Sequence, residues 1–120
     1  MGVGIHGEPG RRRVKMEVAD AIAREMLGVI LHDLSPRPGA EVLLLVNGYG
    51  GTPAMELYLM VNSANRILRD AGLVASRVLA GAYVTSIEMA GCSLTLTLLD
   101  DELAGLWDAP VMMPALRWGI

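Results

Sequence analysis

The chain has 120 residues, enough for one domain with a real hydrophobic core, and its net charge of −3 gives a general nucleic-acid role no electrostatic support. A hydrophobic share of 52% with mean hydropathy +0.42 is high for a self-contained domain, yet the longest strongly apolar run, Val42 to Val46, is far too short to cross a bilayer. The apolar excess is therefore expected to meet protein, either another domain or a second subunit. Cys92 is the single cysteine, which excludes an intrachain disulfide and suits a reducing, cytoplasmic setting. The opening residues also lack the basic-then-apolar order of a signal peptide. With one cysteine and two histidines, His6 and His32, no metal site is expected.

The chain opens on Gly2-Val3-Gly4-Ile5-His6-Gly7-Glu8-Pro9-Gly10, with residues 2–6 read as a short first strand. One imidazole among four glycines, followed by a carboxylate and a turn-forming proline, suits a side chain that touches a small molecule. Gly2, Gly4 and Gly7 also spell the dinucleotide fingerprint G-x-G-x-x-G. That motif needs a strand before it and a helix opening at its third glycine, and neither is present in the pattern. The cluster Arg11, Arg12, Arg13 and Lys15 reads either as a solvated turn and helix entry or as a contact for an anionic partner.

From Glu17 to Leu34 the apolar positions Val18, Ile22, Met26, Val29 and Ile30 share one helical face. Glu17 and Asp20 near its start and His32 near its end complement the helix dipole. Ser35-Pro36-Arg37-Pro38-Gly39 stops it, because the residue before a proline is pushed out of helical geometry. Glu41 to Asn47, with the continuous core VLLLV, predicts a strand covered on both faces or central in a sheet. The loop Gly48-Tyr49-Gly50-Gly51 follows, then Thr52-Pro53 as N-cap and first turn of a helix running to about Ala71. Met55, Leu59, Asn62 and Arg66 fall on one side of that helix and Leu57, Met60, Ala64 and Leu68 on another, with Gly72 placed to cap it. A strand, a glycine loop and a helix start can hold an anion on backbone N–H groups, here at Gly50, Gly51 and Thr52. The lysine of a P-loop is missing, and tight strand-to-helix packing explains the glycines equally well.

Residues 73–84 carry a second β-type run, and Cys92, Leu94, Leu96 and Leu98 then alternate with Ser93, Thr95 and Thr97. The connection is too short for a covered parallel crossover, so these two strands are expected to run antiparallel. Cys92 reads as a small buried residue, not a nucleophile. Asp100-Asp101-Glu102 starts a short helix whose Leu103, Leu106 and Trp107 are expected to face inward, and Asp108-Ala109-Pro110 ends it. The tail to Ile120 reads as an extended arm, docked through Trp118. The order β-α-β-α-β-β-α plus an arm predicts a two-layer α/β domain with a mixed β-sheet and packed helices.

Beyond GVGIHGEPG, the blocks VNGYGGTP at 46–53 with MELY after it, GAYVTSIEMAG at 81–91, SLTL at 93–96, LDDELAGLWDAPV at 99–111 and PALRWG at 114–119 stand in order. Together they closely resemble the substrate-binding K subunit of dihydroxyacetone (glycerone) kinase. The resemblance implies that His6 binds the ketone covalently, as a hemiaminal, while a phosphoryl donor acts on the substrate hydroxyl. A neutral imidazole nitrogen is chemically suited to that addition, provided its other nitrogen meets an acceptor. Glu8 is the nearby choice for that acceptor, unless it caps the turn or pairs with the arginines. The family's K subunit is much longer, so the resemblance places these 120 residues as its C-terminal, histidine-bearing domain. The N-terminal substrate domain and the nucleotide-binding L domain or subunit are then expected as partners, with a homodimer by analogy. No cofactor is expected on this chain. The donor would be ATP or a phosphotransferase-system relay, held by another domain or subunit. The resemblance also admits a non-catalytic, ketone-sensing coactivator and a kinase for another short ketose.

Overall fold

The computed structural model describes residues 1–3 and 8–120; the strand expected over residues 2–6 lies largely outside them, and Met1 to Val3 carry no regular structure. The described elements are helix α1 (Ala19–Leu34), strand β1 (Glu41–Tyr49), helix α2 (Ala54–Asp70), strands β2 (Val74–Gly81) and β3 (Gly91–Leu98), helix α3 (Asp101–Asp108), and strands β4 (Val111–Met113) and β5 (Leu116–Trp118). This is the mixed α/β class that the apolar periodicities predict.

β1 is the middle strand of the order β2-β1-β3, parallel to β2 and antiparallel to β3. Its unbroken apolar run explains the position, since a central strand can bury both faces. β2 and β3 do run in opposite directions, as the short connection requires, yet they are not neighbours: β1 lies between them. Val42, Leu44 and Val46 are fully buried on one face of β1, against Ala23 and Leu27 of α1 and Leu57, Met60, Ala64 and Leu68 of α2. Both long helices therefore cover the same face of the sheet. On the other face Arg77, paired with Leu43 in the register, forks onto Asp108 at the end of α3 with bonds of 2.7 and 2.6 Å.

The helix ends follow local chemistry. α1 starts at Ala19, two residues later than expected, with Val18 as a cap that contributes no side-chain bond. It stops at Ser35, the residue before Pro36; Ser35 takes left-handed geometry at φ +47° and donates its N–H to Leu31 C=O. At the end of α2, Gly72 takes φ +74°, its N–H donates to Arg69 C=O at 2.9 Å, and Leu73 N–H donates to Leu68 C=O at 2.9 Å. That pair of bonds is the Schellman closure. Of the two faces expected for α2, the one with Leu57, Met60, Ala64 and Leu68 is buried, while Met55 and Leu59 are exposed.

Three expectations are corrected. The C-terminal tail is not an extended arm: it folds back as the β4–β5 hairpin, with Val111 opposite Trp118. Trp118 is docked nonetheless, its indole N–H donating to Ala109 C=O at 2.8 Å and its ring 5.1 Å from that of Trp107. Leu103 and Leu106 do not face inward; they are 41% and 66% exposed, and only Trp107 of the three turns to a neighbour. Thr52 does not cap α2, because its hydroxyl is committed elsewhere, and Pro53 stands at the cap position.

Two carboxylates tie elements together through charge. Ser63, buried in α2, donates to Asp20 Oδ1 of α1 at 2.5 Å, and Arg66 pairs with the other oxygen. The Ser63 hydroxyl first, and Arg66 after it, hold Asp20 below the usual carboxylate range, and Arg77 does the same to Asp108. A depressed folded-state value means that the stabilisation is complete above the unfolded carboxylate range and disappears as pH falls through the folded value. Acid titration should therefore show stability declining below about pH 4. The Asp20→Asn and Asp108→Asn variants should lose stability at neutral pH and respond less to acid; an unchanged acid slope in both would refute the assignment.

Candidate functional site

At the C-terminal end of β1 the chain turns tightly at Gly50 and Gly51. Gly50 holds φ +54°, and a Cβ there would stand 2.1 Å from the Met89 carbonyl oxygen, so only glycine fits. Gly48 is also crowded: a Cβ would meet Leu57 Cδ1 at 2.9 Å. The segment 82–91 closes over this turn. Gly50 N–H donates to Thr85 Oγ1 at 2.9 Å, and Thr52 Oγ1 donates to Tyr49 C=O at 2.8 Å, lies 2.9 Å from the Gly91 carbonyl oxygen and accepts from Gly91 N–H at 2.8 Å. Thr52 N–H donates to Tyr49 C=O at 3.1 Å. Of the three residues whose N–H groups would hold an anion, Gly50, Gly51 and Thr52, the first and last thus already donate within the protein. Packing accounts for Gly48 and Gly50 directly, whereas a Cβ on Gly51 would meet nothing within 4 Å.

Asn47, which the sequence pattern marks only as the last residue of a strand, does more than end it. Its side chain is 4% exposed; Nδ2 donates to Val84 C=O at 2.7 Å, and Oδ1 accepts from Tyr83 N–H at 2.9 Å and Val84 N–H at 2.8 Å. One amide thereby satisfies three backbone groups of the segment that covers the glycine turn. The only signal for this in the sequence is a polar residue at the end of a run that is otherwise wholly apolar.

The amino-terminal block is organised around a closure. Arg11 N–H donates to Met1 C=O at 2.8 Å, and the Met1 amino group donates to Arg12 C=O at 2.8 Å. Arg12 forks onto Glu25 of α1, Nε to Oε1 at 2.9 Å and a terminal nitrogen to Oε2 at 2.7 Å, which raises the Arg12 pKa and lowers that of Glu25. Of the cluster Arg11, Arg12, Arg13 and Lys15, one member is thus a tether to the domain. His6 lies outside the described residues, and so does any orienting contact that Glu8 makes with it; Glu8 itself is at the surface.

Cys92 packs beside the core, and burial first, then Glu56, pushes its thiol pKa up, the reverse of what a nucleophile needs. Among the described residues no three His, Cys, Asp or Glu side chains converge in a way that would hold a metal ion, and no helix is long and apolar enough to cross a membrane. A cleft of about 400 Å³ between α1 and α2 is lined by Asp20, Arg24, Ser63, Arg66 and Arg69. A wider groove of about 870 Å³ passes Arg11, Glu25, Gly28, His32 and Leu96, beside the tether.

The fold defines a mixed-sheet α/β domain whose conspicuous loops gather at a glycine turn and at a closed amino-terminal segment. The Dak1 domain family matches residues 1–115, and the chain belongs to that family. It is 40% identical over 98% of its length to the dihydroxyacetone-binding subunit DhaK of PTS-dependent dihydroxyacetone kinase 2 from Listeria innocua, covering 35% of that protein. It is also 40% identical over 99% of its length to a D-erythrulose kinase of Mycolicibacterium smegmatis, covering 20% of it. The structure of the dihydroxyacetone kinase operon co-activator Dha-DhaQ superposes with a TM-score of 0.82 at 35% identity, over 91% of this chain and 34% of that one. The chain thus spans about a third of the first relative and a fifth of the second.

Replacing Asn47 by Ala leaves the backbone groups of Tyr83 and Val84 without their partner in a part-buried setting. The variant should lose about 1–3 kcal/mol in denaturant unfolding. Its amides at 83 and 84 should exchange faster than those of the central strand; equal protection of both would show that the clamp is dispensable.

Proposed function

We propose that this chain is the ketone-capturing part of a dihydroxyacetone kinase, acting on dihydroxyacetone or a related short ketose. The observation that carries this reading is the Dak1 match over residues 1–115, which includes His6, together with 40% identity to relatives named as a dihydroxyacetone-binding subunit and an erythrulose kinase. In the proposed step an unprotonated nitrogen of His6 adds to the ketone carbon. The carbonyl π pair moves to oxygen, which takes up a proton; the other ring nitrogen gives one up, and a neutral hemiaminal results. Glu8 is the residue proposed to orient the ring by accepting that second N–H. A three-carbon polyol offers too few atoms for tight non-covalent binding, so a covalent tether that also discriminates against glycerol suits it. The held substrate then presents a hydroxyl to the donor, and positioning supplies much of the rate.

In this reading the 120 residues are the C-terminal part of a longer subunit. They work in the cytoplasm with an N-terminal substrate domain, a nucleotide-binding L domain or subunit and a second copy of the subunit, and are inactive alone. The donor is ATP or a phosphotransferase-system relay held elsewhere. A second reading is favoured by a specific observation: the co-activator Dha-DhaQ superposes over 91% of this chain with a TM-score of 0.82, so the same domain also suits a ketone sensor without turnover.

The test is dihydroxyacetone labelled with carbon-13 at the ketone, followed by NMR on the full chain and on its His6→Ala variant. A protein-bound tetrahedral carbon that requires His6 is the expected result. An untouched ketone signal in both proteins would overturn covalent capture. Phosphate transfer in the reconstituted complex then separates kinase from sensor. Intact-mass spectrometry of the native protein should give a mass well above 12.8 kDa with these residues at its C-terminus; a mass of that size would refute the C-terminal placement.

A further inference from the structure

Helices α1 and α2 leave between them a cleft of about 400 Å³, within the range of small-ligand sites. From α1 it takes Asp20 and Arg24, and from α2 Ser63, Arg66, Arg69 and Asp70; Ile67 is the one apolar residue among the described lining. The carboxylate of Asp20 is already committed, one oxygen to the Ser63 hydroxyl and the other to Arg66. Ser63 is 1% exposed, so this contact is anchored in the core and sets where the Arg66 side chain stands. Arg66 uses one terminal nitrogen on that bond, and its half-exposed guanidinium keeps its other N–H donors. Arg24 and Arg69 make no hydrogen bond or ion pair among the described residues. The helix dipole accounts for Arg69 in the last turn of α2, but not for Arg24 in the second turn of α1. Three guanidiniums thus share the cleft with a single uncommitted carboxylate, Asp70.

We infer that this cleft binds the phosphate group of a small, polar ligand, with Arg24, Arg66 and Arg69 as its anion-binding residues. A phosphate group offers several strong acceptor oxygens, and the planar fork of a guanidinium matches their geometry. The lining also restricts the rest of the ligand. No aromatic side chain stands among the described lining residues to stack on a nucleobase, and Ile67 alone offers apolar contact. The ligand class is therefore inorganic phosphate or a short phosphate monoester, not a nucleotide. The turn at Gly50, Gly51 and Thr52 is the competing anion candidate, but the N–H groups of Gly50 and Thr52 already donate within the protein. The cleft and its arginines stand apart from the ketone-capture reading and do not depend on it.

The experiment titrates the full chain with inorganic phosphate, glycerol 3-phosphate and AMP at constant ionic strength. Nitrogen-15 NMR follows the arginine side chains and the backbone amides. Inorganic phosphate and glycerol 3-phosphate should give saturable shifts at the Nε–H groups of Arg24, Arg66 and Arg69 and leave the Gly51 amide unmoved. Arg24→Gln and Arg69→Gln remove no bond from the fold, and each should weaken binding roughly tenfold, the scale of one charge-assisted hydrogen bond. Asp70→Asn should tighten it. His6→Ala should bind phosphate as the wild type does, so a failure of ketone capture leaves this site untouched. Tighter binding of glycerol 3-phosphate than of inorganic phosphate assigns the cleft to an ester; equal binding assigns it to the free ion. The inference falls if both arginine variants bind phosphate like the wild type, if the response never saturates, or if AMP binds more tightly than the two smaller ligands.

Discussion

The burial of Asn47 at the end of β1 is the constraint on which the loops of this domain depend. A primary amide placed 4% exposed at the edge of an apolar core is costly unless it is hydrogen-bonded. Here three bonds to Tyr83 and Val84 use one of its two donors and both acceptor sites. The amide is thereby turned from a liability into a gauge: the chain leaving β2 must pass at one distance from β1. Once that passage is set, Thr85 reaches Gly50, and Thr52 reaches Gly91 at the start of β3. The end of the sheet is thus built outward from one side chain, and glycine at position 50 follows because the Met89 carbonyl has been brought within 2.1 Å of where a Cβ would stand.

The amino-terminal segment is organised by a different physics. It buries little and is held by a backbone closure and an exposed fork between Arg12 and Glu25. An exposed pair of this kind contributes little to global stability. The apolar excess of the composition is visible on the same molecule as exposed side chains: Ile87 on the loop before β3, Leu106 on α3 and Met112 on the hairpin. The chain spans 35% of one relative it matches and 20% of another, and exposed apolar surface of this kind is a common mark of contact with other protein.

How much was legible differed from element to element for identifiable reasons. The run VLLLV read as a strand covered on both faces or central in a sheet, because so short an apolar run leaves no solvent-facing side. The alternation from Cys92 to Leu98 likewise carries its own geometry, and Gly72 and Pro36 mark helix ends through chain stereochemistry alone. The failures share a cause. Leu103 and Leu106 are periodic, but periodicity says which residues share a face and not whether anything lies against it. The hairpin of residues 111–118 needed Trp118 to find Ala109 and Trp107, contacts too particular to read from Pro114 and a tail of mixed polarity. Thr52 looked like a cap because its neighbours fit one; its hydroxyl was instead claimed by Tyr49 and Gly91, and Gly91 lies 39 residues away in sequence.

By itself the sequence determined the class of fold, the order of its main elements, the central strand and, through ordered blocks such as GVGIHGEPG and VNGYGGTP, the family and the histidine on which its chemistry is expected to turn. These are local properties: period, turn chemistry and motif are written in neighbouring residues. Only the tertiary structure decided that β1 separates β2 from β3, that Asn47 clamps residues 83 and 84, that Ser63 and Asp20 join the two long helices, and that Arg12 rather than its neighbours ties the amino-terminal segment to Glu25. Each of these joins residues 13 to 56 positions apart, by hydrogen bonds or by strand order, and such pairings are selected by the packing of the whole core, which no window of the chain contains.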